Sequence, residues 1–434
     1  MKRHTVWIFR FFTWAVVLGI VACSQPSDKT PAGPEALGLS AERLDRIGSA
    51  IGQCVAEDRL AGGVALVARH GQTAYLESFG MLDREAQKPM PTDALFRICS
   101  MTKPVTSVAV MMLYEEGHFL LGDPVSDFIP EFKDMKVLDP PFPEDETSLP
   151  DSLVEAKRPI TIHHLLTHTS GLTYRWNPRL RKLYTDNDIG GGLHHQEGTI
   201  GDLVKRLATI PLLFQPGDAW MYGVSDDVLG YLVEVVSGMT LDEFFQERIF
   251  DPLGMEDTHF FLPEGKVSRL ATAYAYFEDK GLLSFPNEPL SEKGLPYTAD
   301  YPYAGPMTCF SGGGGLCSTA EDYLQFCQMM LNGGELNGVR LLSRKSVELI
   351  SQNQVGDLIP NAGFGLGFGT YSEPAHLREL GSIGAYFWGG FFFTSFVIDP
   401  REDMIAIFMG QMHPAGGLNL RSKVLTLAYQ SIID

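Results

Sequence analysis

Ser100 and Lys103, in the run Ser100-Met101-Thr102-Lys103, bring a hydroxyl and an amine within one turn of each other if the segment is helical, because side chains at i and i+3 are neighbours. Such a pair can make a nucleophile of serine without histidine: a lysine kept neutral by desolvation can take the hydroxyl proton. The residues that follow support the helix. Val105, Val108, Ala109, Met112 and Leu113 repeat at i, i+3, i+4, i+7 and i+8, and Gly117 is a natural stop. Pro104 is tolerated only near a helix start, so Ser100 lies within about a turn of the N-terminus. There the helix dipole favours an alkoxide-like oxygen and disfavours a protonated Lys103.

Elements on both sides must position this pair. Ser40 predicts the cap of a helix carrying Leu44, Ile47, Ile51 and Val55, followed by strands Val64 to Ala68 and Thr73 to Ser78 joined at His70-Gly71. The middle reads as helical: Thr161 to Thr169 stopping at Gly171, a segment capped by Ser225 and ending at Gly238, and a capping box of Thr240 with Glu243. Ser318 and Glu321 predict a further capping box. Phe391 to Ile398 and Met404 to Met409 read as strands around a turn at Asp399-Pro400, and Leu420 to Ile433 as a final helix. Strands at both ends with helices between predict an α/β (α+β) fold. The expected lobes are an α/β lobe of about 38–105 and 310–434 and an inserted, mainly helical lobe of about 106–309. Two loop-rich stretches, about 133–159 and 276–310, read as surface loops whose prolines and aromatics could wall a pocket.

The first residues carry an address. Lys2, Arg3 and Arg10 precede an apolar stretch, Phe11 to Ala22, that is too short to span a bilayer and fits a secretory signal. It ends Ile20-Val21-Ala22-Cys23, which resembles the bacterial lipobox, in which the cysteine is acylated and becomes the mature N-terminus. That resemblance implies a signal peptide of residues 1–22, lipidation of Cys23, a flexible tether of residues 23–37, and a membrane-anchored protein on the periplasmic side. Ser24 after the cysteine implies sorting to an outer membrane. The competing reading is an ordinary cleaved signal with an incidental cysteine.

Composition narrows the partners. The formal net charge is -19, and -22 once residues 1–22, which hold three basic and no acidic residues, are removed, so nucleic acid is not an expected partner. Beyond Cys23 stand Cys54, Cys99, Cys309, Cys317 and Cys327, spaced neither as a zinc site nor as a dense disulfide framework. They read as mostly buried thiols with at most one or two bridges. His164 and His168 stand at i, i+4, but no Glu follows His164 to complete H-E-x-x-H. Gly312 to Gly315 lacks the Lys-Ser/Thr of a phosphate loop and reads as a tight turn. Ser225-Asp226-Asp227 is superficially like an S-D-N motif but reads as helix initiation, and no G-x-S-x-G elbow is present. No metal and no cofactor is expected.

Several motifs in order carry a family resemblance. Ser100-Met101-Thr102-Lys103, Leu166-Thr167-His168-Thr169-Ser170-Gly171-Leu172, Gln215-Pro216-Gly217 to Tyr222, Asp251-Pro252-Leu253-Gly254-Met255 and Trp388-Gly389-Gly390 follow one another as in serine beta-lactamase-like hydrolases. That superfamily includes class C beta-lactamases, D,D-peptidases and family VIII carboxylesterases, and the match covers roughly residues 38–434. The resemblance implies a beta-lactamase-like antiparallel sheet flanked by helices. It implies Ser100 as nucleophile, Lys103 as its base or base partner, and Tyr222 as a proton shuttle. It also implies an oxyanion hole from the backbone N–H groups of Ser100 and Phe391, and His168 as a structural histidine.

Two departures bear on substrate. Tyr222-Gly223-Val224 has valine where beta-lactamases have an asparagine that contacts the substrate amide, and Trp388 replaces the cation of Lys-Thr-Gly. The Trp388-Gly389-Gly390 form is similar to family VIII esterases and related acyltransferases; simple aromatic packing is the other reading of Trp388. The expected function is therefore a metal-independent serine hydrolase acting through an acyl-enzyme on a small-molecule ester or amide. Within that class, a carboxylesterase or acyltransferase on small esters comes first and a D,D-peptidase or beta-lactamase second. A non-catalytic membrane-tethered binding protein with the same fold is the reading from a different class.

Overall fold

The computed structural model describes residues 33–139, 152–287, 294–373 and 379–434. The signal segment 1–22, Cys23 and the tether up to residue 32 lie outside the described residues.

Ser40 accepts from the Arg43 N–H and starts α1 (Ala41–Ala56), whose Leu44, Ile47, Ile51 and Cys54 form its buried stripe. The chain turns at His70-Gly71 between β1 (Gly62–Arg69) and β2 (Gln72–Asp83), and β2 pairs at its end with the short β3 (Lys88–Pro89). Every residue of β1 is buried, because the sheet is covered on both faces. Val64, Leu66 and Ala68 face one core, and Ala65 and Val67 face the other.

Strand β4 (Phe96–Arg97) lies outside the main sheet and pairs antiparallel with β5 (Cys317–Ser318). From β4 the chain passes through a 3₁₀ turn, Cys99–Met101, into α2 (Thr102–Glu115), which is buried continuously from Thr102 to Leu113. A helix that is apolar nearly all round sits in the centre of a large protein, and α2 does so, with α3 (Ser225–Ser237) packed against it. After β5 come α4 (Ala320–Leu331), β6 (Gly363–Phe364), β7 (Gly369–Thr370), β8 (Tyr386–Gly389), β9 (Ser395–Asp399), β10 (Met404–Gly410) and α5 (Leu420–Tyr429). The main sheet is antiparallel throughout, in the order β6-β7-β8-β9-β10-β1-β2-β3. Its central pairing runs from Gly63 opposite Gly410 to Arg69 opposite Met404, so strands from both ends of the chain close one sheet. Helices α1 and α5 pack together on one face, and α4 packs on the other.

Local signals misplace a few boundaries. Ser225 does not cap α3: Val224 holds the cap position, and Ser225 is buried in the first turn, where its hydroxyl meets Ser170 at 3.0 Å. Likewise Thr319, not Ser318, caps α4, accepting from the Asp322 N–H, while Ser318 is held in β5 by pairing with Phe96. The helix from Thr161 ends at Leu166, with His168 at φ 55°, and α5 ends at Tyr429. Strand β9 begins at Ser395 rather than Phe391, because Gly390 to Phe393 form a turn. The stretch expected to be helical also holds two antiparallel strand pairs, Lys136–Asp139 with Ser152–Glu155 and Tyr274–Phe277 with Gly281–Ser284. The five cysteines beyond Cys23 are free thiols, four of them buried.

Candidate active site

Strand pairing and a tightly braced turn place Ser100. The Ile98 N–H donates to Leu316 O at 3.0 Å and the Met101 N–H to Ile98 O at 3.1 Å. The Tyr323 hydroxyl donates to Met101 O at 2.9 Å, and Leu316 N–H to Thr102 Oγ1 at 3.1 Å. Cys99 sits at φ 49°, a left-handed conformation that non-glycine residues adopt rarely and that here turns the chain from strand into helix. Ser100 is half-buried at this corner and Lys103 is fully buried one turn on.

Lys103 Nζ donates to Tyr174 Oη at 2.9 Å and to the Gly313 carbonyl at 2.5 Å, and it stands 4.8 Å from the centre of the Tyr222 ring. Burial opposes its positive charge, but Tyr174, Tyr222 and Asp226 outweigh burial, and its pKa lies well above the ordinary lysine range. Desolvation and the helix dipole, which act toward a neutral amine, are opposed here by these groups. The helix-start argument counted burial and the dipole, whereas the surrounding oxygens come from distant segments.

Gly313 belongs to the glycine run, which is indeed a tight turn and also serves the site. Asp227 Oδ1 accepts from Ser311 Oγ at 2.6 Å and from the Gly313 N–H at 3.2 Å, presenting the Gly313 carbonyl to Lys103. A Cβ at Gly312 would stand 2.5 Å from Asp226 O, and one at Gly314 2.5 Å from Gly191 O, so only glycine allows this approach.

Tyr222 is ringed by aromatic side chains. His168 lies 4.8 Å away centre to centre, Trp388 5.5 Å, Tyr174 5.6 Å, Trp220 6.3 Å and Trp176 6.5 Å, and Phe364 packs on Trp388 at 5.2 Å. The Tyr222 hydroxyl is buried and makes no hydrogen bond, as is true of the Trp220 and Trp388 indole nitrogens. Buried polar groups are nearly always paired, so three orphans around one space mark where a polar ligand belongs. His168 Nε2 approaches Asp226 Oδ2 at 3.3 Å without hydrogen-bond geometry. Burial, aided by the Lys103 charge, pushes the His168 pKa well down, and burial pushes Asp226 up to about 7 against the pull of Lys103. His168 is therefore a neutral packing residue beneath Tyr222.

Strand β8 brings Trp388, Gly389 and Gly390 against the Cys99–Met101 turn. Gly390 is pressed on the Ile98 carbonyl so closely that any Cβ would collide with it. The Phe391 N–H is given to no backbone carbonyl and lies, with that of Phe392, beside the Cys99 thiol at this corner. The structure thus brings together Ser100, Lys103, Tyr222, Trp388, Gly389, Gly390 and Phe391. Val224 is the exception: its side chain is fully buried in the core at the start of α3, so it offers a substrate no surface. Tyr174, Trp176 and Trp220 join the site without having been named from the sequence, while Asp227, read there as part of a helix start, also orders the glycine turn. Tyr174 and Trp176 closely follow the Leu166 to Leu172 phrase and Trp220 precedes Tyr222, the one signal that could have found them.

Comparison with known proteins agrees with this geometry. The family model described as Beta-lactamase matches residues 47–425. Esterase EstB of Burkholderia gladioli is 32% identical over 84% of this chain and 90% of its own. A putative D-alanyl-D-alanine carboxypeptidase of Escherichia coli K12 is 28% identical over 90% of this chain and 88% of its own. Among solved structures, EstCE1, a hydrolase with promiscuous acyltransferase activity, superposes with a TM-score of 0.76 at 26% identity, covering 91% of this chain and 99% of EstCE1. With a sheet, a Ser-x-x-Lys corner and a tyrosine arranged in this way, the chain belongs to the beta-lactamase family and is a serine hydrolase.

Proposed function

We propose that this enzyme is a carboxylesterase or acyltransferase that acylates Ser100 with small, neutral esters. The observation that carries the reading is the buried, unpartnered Tyr222 hydroxyl, whose ring lies over Lys103 Nζ at the corner that holds Ser100 and Phe391. Lys103 Nζ is engaged with the Tyr174 hydroxyl and the Gly313 carbonyl, and serves as the partner of the base. The Tyr222 oxygen takes the Ser100 proton as Ser100 Oγ attacks the ester carbonyl carbon, and the phenolic hydrogen of Tyr222 passes on to the ester's leaving oxygen, so the tyrosine ends as it began, a neutral hydroxyl. The carbonyl oxygen, negative in the tetrahedral intermediate, accepts from the N–H groups of Ser100 and Phe391. The bond from carbon to that protonated oxygen then breaks and the alcohol departs, and water or a second alcohol repeats the sequence on the acyl-enzyme. Tyr222→Phe should lower kcat by roughly 10²-fold or more, the scale of lost proton-transfer catalysis, with little change in KM. A near-normal kcat in that variant removes Tyr222 from the mechanism.

The substrate side is aromatic. Trp388 stands in the third motif where a cation would pair with a carboxylate, and Trp176 and Trp220 extend the apolar wall. Lys103 is committed to Tyr174 and Gly313. A missing charge-assisted hydrogen bond costs about 1.5 to 3 kcal/mol, or roughly 10- to 150-fold. Hence kcat/KM for p-nitrophenyl acetate or butyrate should exceed that for a chromogenic cephalosporin, and Trp388→Lys should narrow the gap. Faster cephalosporin hydrolysis by the parent enzyme overturns the esterase reading. The second reading, a D,D-peptidase, is favoured by the Escherichia coli relative; release of D-alanine from a D-Ala-D-Ala peptide at rates matching ester hydrolysis would establish it.

We also propose that the mature protein is lipid-tethered at Cys23 in a bacterial envelope. The support is the Ile20-Val21-Ala22-Cys23 run behind a basic, apolar leader. Cys23→Ser should abolish incorporation of labelled fatty acid and release the protein from membranes; unchanged association rejects the tether.

A further inference from the structure

The turn after β8 is braced from several sides. The Gly390 N–H donates to Thr394 O at 2.8 Å, the Phe393 N–H to Gly390 O at 3.2 Å, and the Met412 N–H to Phe392 O at 3.0 Å. Phe393 sits at φ 72°, and the His413 ring stacks on Phe391 at 3.8 Å. One side chain in this brace is a cation without an anion. Arg421, at the start of α5, donates from Nη2 to the Gly390 carbonyl at 2.5 Å, and its guanidinium lies 4.8 Å over the Phe393 ring. Its Nε is buried and unpaired, and among the described residues no carboxylate lies within ion-pair distance of it. Burial lowers its pKa to about 10, so it remains charged at neutral pH. The side chain is partly buried with Nε enclosed, which carries a cost for a charge without a counter-ion, and a neutral donor would hold a turn as well.

We infer that Arg421 is a positioning residue of the oxyanion hole, acting through the Gly390–Phe391 peptide. The carbonyl of Gly390 and the N–H of Phe391 are opposite ends of one planar amide. A cation hydrogen-bonded to the oxygen draws electron density to that end and makes the N–H at the other end a stronger donor. That N–H is given to no backbone carbonyl, and it stands at the Cys99–Ser100 corner, where it and the Phe392 N–H lie within reach of the Cys99 thiol. The gain is largest when negative charge develops on the substrate oxygen, so it appears in the transition state more than in binding. The ring of Phe393 and the carbonyl of Gly390 together hold the guanidinium, and through it the plane of the peptide.

This inference rests on Ser100 being the acylated residue, and the test separates the two. The parent, Arg421→Met, Arg421→Gln and Arg421→Lys are compared by kcat and KM for p-nitrophenyl butyrate and by the second-order rate of Ser100 phosphonylation with a fluorophosphonate. Arg421→Met should lower kcat by about 10- to 100-fold, short of the loss for deleting an oxyanion donor outright, with KM within about threefold. Phosphonylation should slow in parallel, and Arg421→Lys, which keeps a cation on the carbonyl, should recover most of both rates. Arg421→Gln can still donate to Gly390 O but carries no charge, so it should stay near Arg421→Met. A kcat for Arg421→Met within twofold of the parent overturns the inference, as does Arg421→Gln matching Arg421→Lys. So does a loss confined to the fraction of active sites with an unchanged rate per site. If Arg421→Met does not fold, the Gln and Lys pair decides the same question. A parent that is never phosphonylated on Ser100 rejects the acyl-enzyme reading itself, whereas a labelled parent with indifferent Arg421 variants rejects only the role of Arg421.

Discussion

Ser100→Ala should reduce ester turnover to background, a fall in kcat of at least about 10³-fold, while leaving the folded protein intact. The substitution deletes the attacking oxygen and almost nothing else. Ser100 is half-buried, and the bonds that form its corner come from the backbone of Ile98 and Met101 and from the Tyr323 hydroxyl, none of which involves the Ser100 side chain. Removing one surface-facing hydroxyl outside any network changes stability by a few tenths of a kcal/mol in the usual case. Thermal unfolding of the variant should therefore overlay that of the parent. Mass spectrometry of the parent with a slow phosphonate should find the adduct on the peptide containing Ser100, and an adduct on any other serine would sink the assignment.

Lys103→Met should lower kcat by roughly 10² to 10⁴-fold, for a different reason. The variant keeps the length and apolar stem of the side chain but removes the ammonium under Tyr222. Two groups then lose a partner, the Tyr174 hydroxyl and the Gly313 carbonyl, and each unpaired buried group costs about 1 to 3 kcal/mol. Against this, a buried charge disappears, which offsets part of the loss. Folding of the variant is checked alongside by its thermal unfolding, and the rate is compared per folded active site. The Asp226 carboxyl, pushed up to about 7 by burial with Lys103 opposing, loses that opposition and should titrate higher in the variant. Retention of normal kcat would exclude Lys103 from the chemistry, and its burial would then be structural only.

What could be read without the fold was whatever depends on neighbours in the chain. The i, i+3 spacing of Ser100 and Lys103, the cap at Ser40, the hairpin turn at His70-Gly71 and the box of Thr240 with Glu243 are decided within a few residues, and each stands where local physics places it. The boundaries that moved are those where two adjacent residues could do one job. Ser318 and Thr319 are both good caps, and the pairing of Ser318 with Phe96 leaves the cap to Thr319. Ser225 is a good cap too, but its hydroxyl meets Ser170, a contact 55 positions away in sequence. Phe391 to Thr394 has the composition of a strand, and the close approach of Gly390 to the Ile98 carbonyl turns it instead.

The chemistry available is written in residues close together in the chain: a serine and a lysine one helical turn apart, a tyrosine in the right phrase, and a tryptophan where a cation would otherwise stand. The charge of Lys103 was decided only by the tertiary structure, because the groups that set it, Tyr174, Tyr222 and Asp226, arrive from other elements. Coulomb and hydrogen-bond terms depend on distance in space, and their sum at Lys103 runs opposite to the burial that its own helix predicts. The same holds for the aromatic wall around Tyr222, the Gly313 carbonyl set by Asp227, and the Arg421 guanidinium on Gly390. Each is a contact between segments with no periodic relation in the chain, so only closure of the sheet by β1 and β10 and the packing of α2, α3 and α5 around it bring them to one place.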